Sequence, residues 1–246
     1  MPETFYLFLL GHIIGDFYLQ SEKIAKEKQA EAAAVVAHSA LYCAVALVAS
    51  VPVMFLNVWA GILAAGVLSL AHCIIDLAKF YARRKYDAPD SFAVFFIDQA
   101  LHIAVILAVS NMLLDYVSNG GLTALFHDAA NISYLATVKL LCVLFLMGRP
   151  ANISFKKIFK SVKPENDEKS GMKNAGALIG TLERVISCVM FYLGQYAAIA
   201  IVFTAKSIAR YNRISTDPAF AEYYLTGTLS SVTFAILVSM LFFQYI

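Results

Sequence analysis

Long apolar runs separated by short polar connections dominate the chain. Segments near residues 4–20, 33–55, 57–79, 92–115, 133–148, 180–205 and 225–245 are each almost unbroken in apolar side chains. An α-helix needs about 20 such residues, within a range of about 17–25, to cross the hydrocarbon core of a bilayer. The pattern predicts an all-α, polytopic transmembrane helical bundle of about seven spans. It forms one transmembrane domain over 1–246, in which 1–115 supply a four-helix core and 116–246 the remaining helices. Gly194, inside the sixth segment, is a place where that helix can break into a re-entrant pair. A different periodicity runs through Phe155, Ile158, Phe159 and Val162, spaced i, i+3, i+4, i+7, with Lys156, Lys157, Lys160 and Lys163 between them. This predicts a short amphipathic helix lying in the membrane interface, within a basic loop near 149–175, its lysines meeting anionic lipid headgroups.

Composition agrees with the pattern. Of 246 residues, 60% are hydrophobic and 15% charged, whereas a soluble domain has about 45–50% and about 25%. Too few charges remain to cover a water-facing surface. A net charge of +2 provides no field for a phosphate backbone, so nucleic-acid binding is excluded. Cys43, Cys73, Cys142 and Cys188 all sit in apolar stretches and read as small buried hydrophobes. Met1-Pro2-Glu3 lacks a basic leader, so the first apolar segment is expected to stay as a span.

Charge orients the chain. Lys23, Lys26 and Lys28 follow span one; Lys79, Arg83, Arg84 and Lys85 follow span three. Arg149, Lys156, Lys157, Lys160, Lys163, Lys169 and Lys173 follow span five, and the connections after spans two and four hold none. The positive-inside rule places the basic loops in the cytoplasm and the N-terminus outside. Lys206, Arg210 and Arg213, after span six, do not fit unless the chain turns back at Gly194.

The scarce ionisable residues inside the spans are ordered. His12 and Asp16, His72 and Asp76, and Asp98 and His102 are each four residues apart, and His38 stands alone in span two. Residues four apart share a helix face. The order reverses in span four, which runs the other way, so each Asp lies nearer the cytoplasm and each His about 6 Å deeper. Leu10 to Phe17 also align weakly with Leu70 to Leu77, as two similar hairpins would. One intramembrane His or Asp is explained by a helix–helix hydrogen bond; seven groups on four helices at one depth suggest a site. Neutral imidazole and carboxylate are ligands for a divalent metal, zinc first, iron or manganese otherwise. The expected ligands are His12, Asp16, His38, His72, Asp76, Asp98 and His102, as direct ligands or as groups orienting them, around one ion or two. A metal-activated water is the expected nucleophile, with Asp16, Asp98 and Glu183 as candidate catalytic carboxylates. Gln20 and Gln99 border the layer. In the second half, Arg184, Lys206 and Arg210 are candidates to hold an anionic substrate group. Thr226 to Ser231, placed at the start of the last span, suit close packing or an anion at a helix N-terminus.

The residues His12-Ile13-Ile14-Gly15-Asp16-Phe17-Tyr18-Leu19-Gln20 form an H-x-x-G-D-F-x-x-Q opening. With His38, His72 to Lys79, Asp98 to His102, Gly180 to Arg184, Lys206 to Arg210 and Gly227-Thr228, they resemble a bacterial integral-membrane family of unknown function. The resemblance implies a multispanning protein of the bacterial inner membrane and no established activity. By residue type alone, the chain is more distantly similar to membrane-bound metal-dependent hydrolases. The expected function is a membrane-embedded metal-dependent hydrolase acting on a lipid or lipid-linked phosphoester at the cytoplasmic face. The alternatives are an ion-coupled carrier with a His/Asp relay and a scaffold with a structural metal.

Overall fold

The computed structural model describes residues 1–86, 91–117, 121–130, 133–161 and 175–243. The described residues are helical throughout, without strands, and six stretches are long and apolar enough to cross a membrane: Ala32–Leu56, Val58–Tyr86, Phe92–Asp115, Tyr134–Ile158, Ala175–Tyr192 and Pro218–Phe243. This is the expected polytopic bundle. Its surface is inverted relative to a soluble protein. Trp59, Phe55 and Leu70 are 77%, 76% and 64% exposed, while His12, His38, His72, Asp76, Asp98 and His102 are buried. Apolar surface of this extent requires a membrane or a partner to cover it.

The chain forms two compact units, Met1–Phe145 and Leu146–Ile246. The first extends past the expected 1–115 core because later helices pack on its first helix. It begins with α1 (Glu3–Ile13), which runs directly into a π-helical turn, Ile14–Tyr18. α2 (Glu22–Ala30) is polar and capped by Ser21, whose Oγ accepts the Ile24 N–H. α3 (Ala32–Leu56) and α4 (Val58–Tyr86) meet at the single residue Asn57. Its Oδ1 accepts the Ala60 N–H and its carbonyl the Gly61 N–H, so the turn closes without a loop. α5 (Phe92–Met112) is capped by Ser91 and ends in a 3₁₀ turn, Leu113–Asp115. α6 (Gly121–Ala130) carries the exposed His127. α7 (Tyr134–Met147) crosses the unit boundary. Tyr134 donates to the Glu3 carbonyl, Cys142 to that of Tyr6, and Tyr18 to that of Phe145, which ties α7 to α1.

In the second unit the amphipathic helix is α8 (Arg149–Ile158), earlier than its expected position, followed by a 3₁₀ turn at Phe159–Ser161. Lys156 and Lys160 are exposed; Lys163 lies outside the described residues. Phe155 turns inward, edge-on to Phe234 at 5.8 Å. The sixth predicted span is two helices, α9 (Ala175–Tyr192) and α10 (Tyr196–Ala209), broken at Gly194, whose φ is +69°. Gly194 N–H bonds the Phe191 carbonyl and Gln195 N–H that of Met190, the Schellman pattern that ends a helix on a left-handed glycine. An unbroken helix would carry Lys206 about 35 Å beyond Glu183. Instead their side chains are 2.8 Å apart, so α9 and α10 form a hairpin. After α11 (Tyr211–Thr216), α12 spans Pro218–Phe243. Asp217 caps it through the Phe220 N–H, with Pro218 in the first helical position. Thr226 to Ser231 therefore lie two turns inside α12, not at its start, which removes the reading of Gly227 and its neighbours as a helix-terminal anion site. The helix begins at Pro218, ahead of the expected 225–245 span.

A Cβ on Gly61 would meet the Met54 backbone nitrogen at 2.8 Å and overlap Met54 Cγ, whereas one on Gly66 meets nothing within 4 Å. Gly61→Ala is expected to cost about 1–3 kcal/mol through overpacking at the α3–α4 turn. Gly66→Ala should be neutral or stabilising. Thermal unfolding in detergent checks the contrast; equal midpoints would contradict the tight turn.

Candidate metal centre

The helical register brings the predicted residues to one point. The π turn widens the end of α1 around Asp16 and bonds Leu19 N–H to the Ile14 carbonyl; such turns recur at functional sites. Gly15 allows α3 to come close, because a Cβ there would stand 3.0 Å from the Tyr42 ring. That ring lies flat on His72, centroids 3.7 Å apart and planes 4° apart. Tyr42 is four residues after His38, on the same face of α3.

Four donor atoms form the centre. His38 Nε2 is 3.2 Å from Asp16 Oδ1, 3.2 Å from His72 Nε2 and 3.9 Å from Asp76 Oδ2, and His72 Nε2 is 3.5 Å from that same oxygen. Four ligands at about 2.0–2.2 Å from a tetrahedral zinc stand about 3.3–3.6 Å from one another. The 3.2 and 3.5 Å spacings stand close to that range and the 3.9 Å one is wider. Two triads have ligand atoms mutually close enough to share a cation: Asp16, His38 and His72, and His72, Asp76 and His102. Each contains one Asp and one His from a single hairpin, and His72 belongs to both. His12 stacks on His102 with centroids 5.0 Å apart, and His72 and His102 are 4.5 Å apart.

Gln99, on α5, joins the carboxylates of Asp16 and Asp98. Its amide nitrogen donates to Asp16 Oδ2 at 3.0 Å and Asp98 Oδ2 at 3.2 Å, and its oxygen is 3.2 Å from His12 Nε2. The carboxylates can only accept, so the amide has one sensible orientation and His12 Nε2 carries hydrogen. His102 Nδ1 donates to the Asp98 carbonyl at 2.8 Å, which leaves Nε2 as a bare acceptor, as in a metal-ligating histidine. Among the described residues of the site, His102 Nε2, Asp98 Oδ1 and the Nδ1 atoms of His12, His38 and His72 are buried without a hydrogen-bond partner. Gln20, in the bend after the π turn, takes no part in these bonds.

Two lysines complete the cluster. Lys28, on α2, donates to Asp76 Oδ2 at 2.6 Å, and Lys79, on α4, to Asp98 Oδ2 at 2.8 Å. Their side chains are 11% and 30% exposed, against 2% and 4% for their carboxylate partners, so they form the outer edge of the site. Sequence reasoning counted both only as loop charges. Lys79 was visible, three residues after Asp76 on the same helix face. Lys28 was not, because α2 has no register with the spans.

A family model described as protein of unknown function (DUF3307) matches residues 4–132. The chain belongs to that family. The DUF3307 segment contains all seven His and Asp residues and both lysines, and it ends before α7. No curated protein and no solved structure matches the chain.

The candidates in the second unit form a separate polar group. Arg184 is buried and its donors are directed within the unit. Nε bonds the Met147 carbonyl at 2.9 Å, Nη1 bonds Ser231 at 3.3 Å, and Nη2 bonds Asn152 Oδ1 at 2.6 Å and Thr181 at 3.3 Å. Lys206 donates to Glu183 and to Thr228 Oγ1 at 3.2 Å, and lies over the Tyr224 ring at 5.0 Å. Arg210 caps the end of α10 and is exposed. Lys206 and Arg210, expected on one face, thus point to different surroundings.

Gln99→Leu removes the shared donor between Asp16 and Asp98 and the acceptor for His12. Leaving such groups unpaired costs about 1–3 kcal/mol each. The variant is expected to unfold at lower temperature and to lose that deficit in a Gln99→Leu, Asp98→Asn double variant only in part. A Gln99→Leu protein as stable as wild type would contradict the bridging role.

Proposed function

We propose that this chain is a membrane-embedded metal-dependent hydrolase whose substrate is a lipid or lipid-linked phosphoester. One observation supports it above all: His38 Nε2, His72 Nε2 and Asp76 Oδ2 are buried 3.2–3.9 Å from one another, and Asp16 Oδ1, on a half-buried carboxylate, stands 3.2 Å from His38 Nε2. Two imidazole nitrogens and two carboxylate oxygens suit zinc, with iron or manganese as the other ions for this set. Such an ion acts as a Lewis acid and lowers the pKa of bound water. Asp16 and Asp76 anchor the ion, and His102 Nε2 is a further ligand. Gln99 holds Asp16 and Asp98 in place, which leaves Asp98 Oδ1 as an acceptor for a proton. Glu183, Arg184 and Lys206 hold the second unit together.

The site lies on the side of the helices that carry Lys28, Lys79 and Arg83 to Lys85, which the positive-inside rule makes cytoplasmic, in the inner membrane if the chain is bacterial. The α9–α10 hairpin supports the same orientation, because it returns Lys206, Arg210 and Arg213 to the end where α9 begins. Lys156, Lys157, Lys160 and Lys163 then meet anionic headgroups. A second reading, a proton relay, draws support from the continuous string His12, Gln99, Asp16, His38, His72, Asp76 and Lys28.

Elemental analysis of protein purified without chelators should find about one first-row divalent ion per chain, lost in His72→Ala and Asp16→Asn. Hydrolysis of lipid phosphates should vanish with EDTA and return with metal. A metal-free wild type sinks the proposal, and proton flux in liposomes without hydrolysis would favour the relay. Both termini should report the outer face: alkaline phosphatase fused to the C-terminus should be active, and an inactive fusion would reverse the orientation of α12.

A further inference from the structure

The metal reading leaves Lys28 and Lys79 without a task, and their charges bear on what else the site binds. Three carboxylates, Asp16, Asp76 and Asp98, face two ammonium groups, Lys28 and Lys79, and the four histidines are neutral as ligands. The cluster is therefore one negative charge in excess. A divalent ion reverses this to one positive charge in excess, inside an apolar bundle where an uncompensated charge is costly. Lys28 sharpens the imbalance. Its Nζ is 2.6 Å from Asp76 Oδ2, the oxygen that also faces His72 Nε2 and His38 Nε2. Ion and ammonium thus share one oxygen, each weakening the other's hold on it.

Two outcomes restore balance: Lys28 leaves, or an anion arrives. Lys28 is 11% exposed and has three donors, of which Asp76 takes one; Lys79 is 30% exposed and likewise has donors to spare. Both stand at the edge of the site, Lys28 on Asp76, which would hold the metal, and Lys79 on Asp98. Among the described side chains, Lys28 to Asp76 is also the one hydrogen bond or ion pair that fastens α2 to the spans.

We infer that the metal-loaded site is an oxyanion receptor, in which Lys28 and Lys79 hold a singly charged phosphate-type group against the ion, so that metal and anion bind cooperatively. The inference rests on the metal reading above and adds the ligand class: a monoanionic phosphodiester, whether a lipid headgroup or a soluble molecule. It also moves anion recognition into the DUF3307 segment, away from Arg184.

The test is zinc affinity of the full chain in phosphatidylcholine nanodiscs, read by competition with a fluorescent chelator. Adding dimethyl phosphate, or replacing part of the lipid by phosphatidylglycerol, should tighten zinc binding about tenfold, within the usual range of such couplings. A gain with dimethyl phosphate identifies a site open to soluble anions; a gain with phosphatidylglycerol alone identifies a headgroup site. Lys28→Gln, Lys79→Gln should bind zinc at least as tightly as wild type without the anion, and show no gain with it beyond the attraction of zinc to an anionic bilayer. Lys28→Arg should keep the coupling, which controls for folding. Zinc binding that ignores both anions, or that weakens in the Gln variant, overturns the inference and leaves the metal site standing. No zinc binding in any of the proteins overturns the metal reading and the inference with it.

Discussion

A carboxylate or imidazole inside an apolar bundle has no water to turn to, and the rest of the structure follows from that. An unpaired charge at this depth costs several kcal/mol, so each ionisable group has to find its partner on another helix. Asp16 finds His38 and Gln99; His72 finds His38, Asp76 and the face of Tyr42; Asp98 finds Lys79 and Gln99. These contacts hold α1, α3, α4 and α5 around one centre. The small residues serve the same end. Gly11 and Gly15 let α1 approach α3, where a Cβ would meet Ala49 and Tyr42 at 3.0 Å, as helix pairs in membranes require when no hydrophobic force joins them.

The second unit obeys the same constraint with a different result. Arg184 is buried and Lys206 half-buried, and their donors meet hydroxyls, a carboxylate, an amide and a backbone carbonyl. What separates the two groups is what is left over. The first unit has two imidazole nitrogens facing each other at 3.2 Å and, at His102 Nε2 and Asp98 Oδ1, acceptors without donors. An excess of acceptors is what a cation corrects. The hydrogen bonds of Arg184 and Lys206 lock α8, α9, α10 and α12 together instead.

Much of this was legible in the chain. The apolar runs marked the spans because length and hydropathy suffice for a helix in a bilayer. The four-residue spacing of His and Asp put each pair on one face, and the reversal in span four put all of them at one depth. Gly194 marked a possible break, realised because only glycine enters the left-handed region without strain. The last helix starts earlier than its apolar run because Asp217 caps it and Pro218 opens it, and hydropathy does not register either signal.

Periodicity along the chain, the depth of the polar layer and the chemistry of its side chains are properties of local sequence, since a helix face is set by covalent spacing. The meeting of Lys28 with Asp76, the pairing of Lys206 with Glu183 rather than with an anion, and the flat stack of Tyr42 on His72 were decided only in the fold. Each depends on how helices distant in sequence rotate and approach, and that is fixed by the sum of packing and polar pairing over a whole unit, which no local spacing encodes.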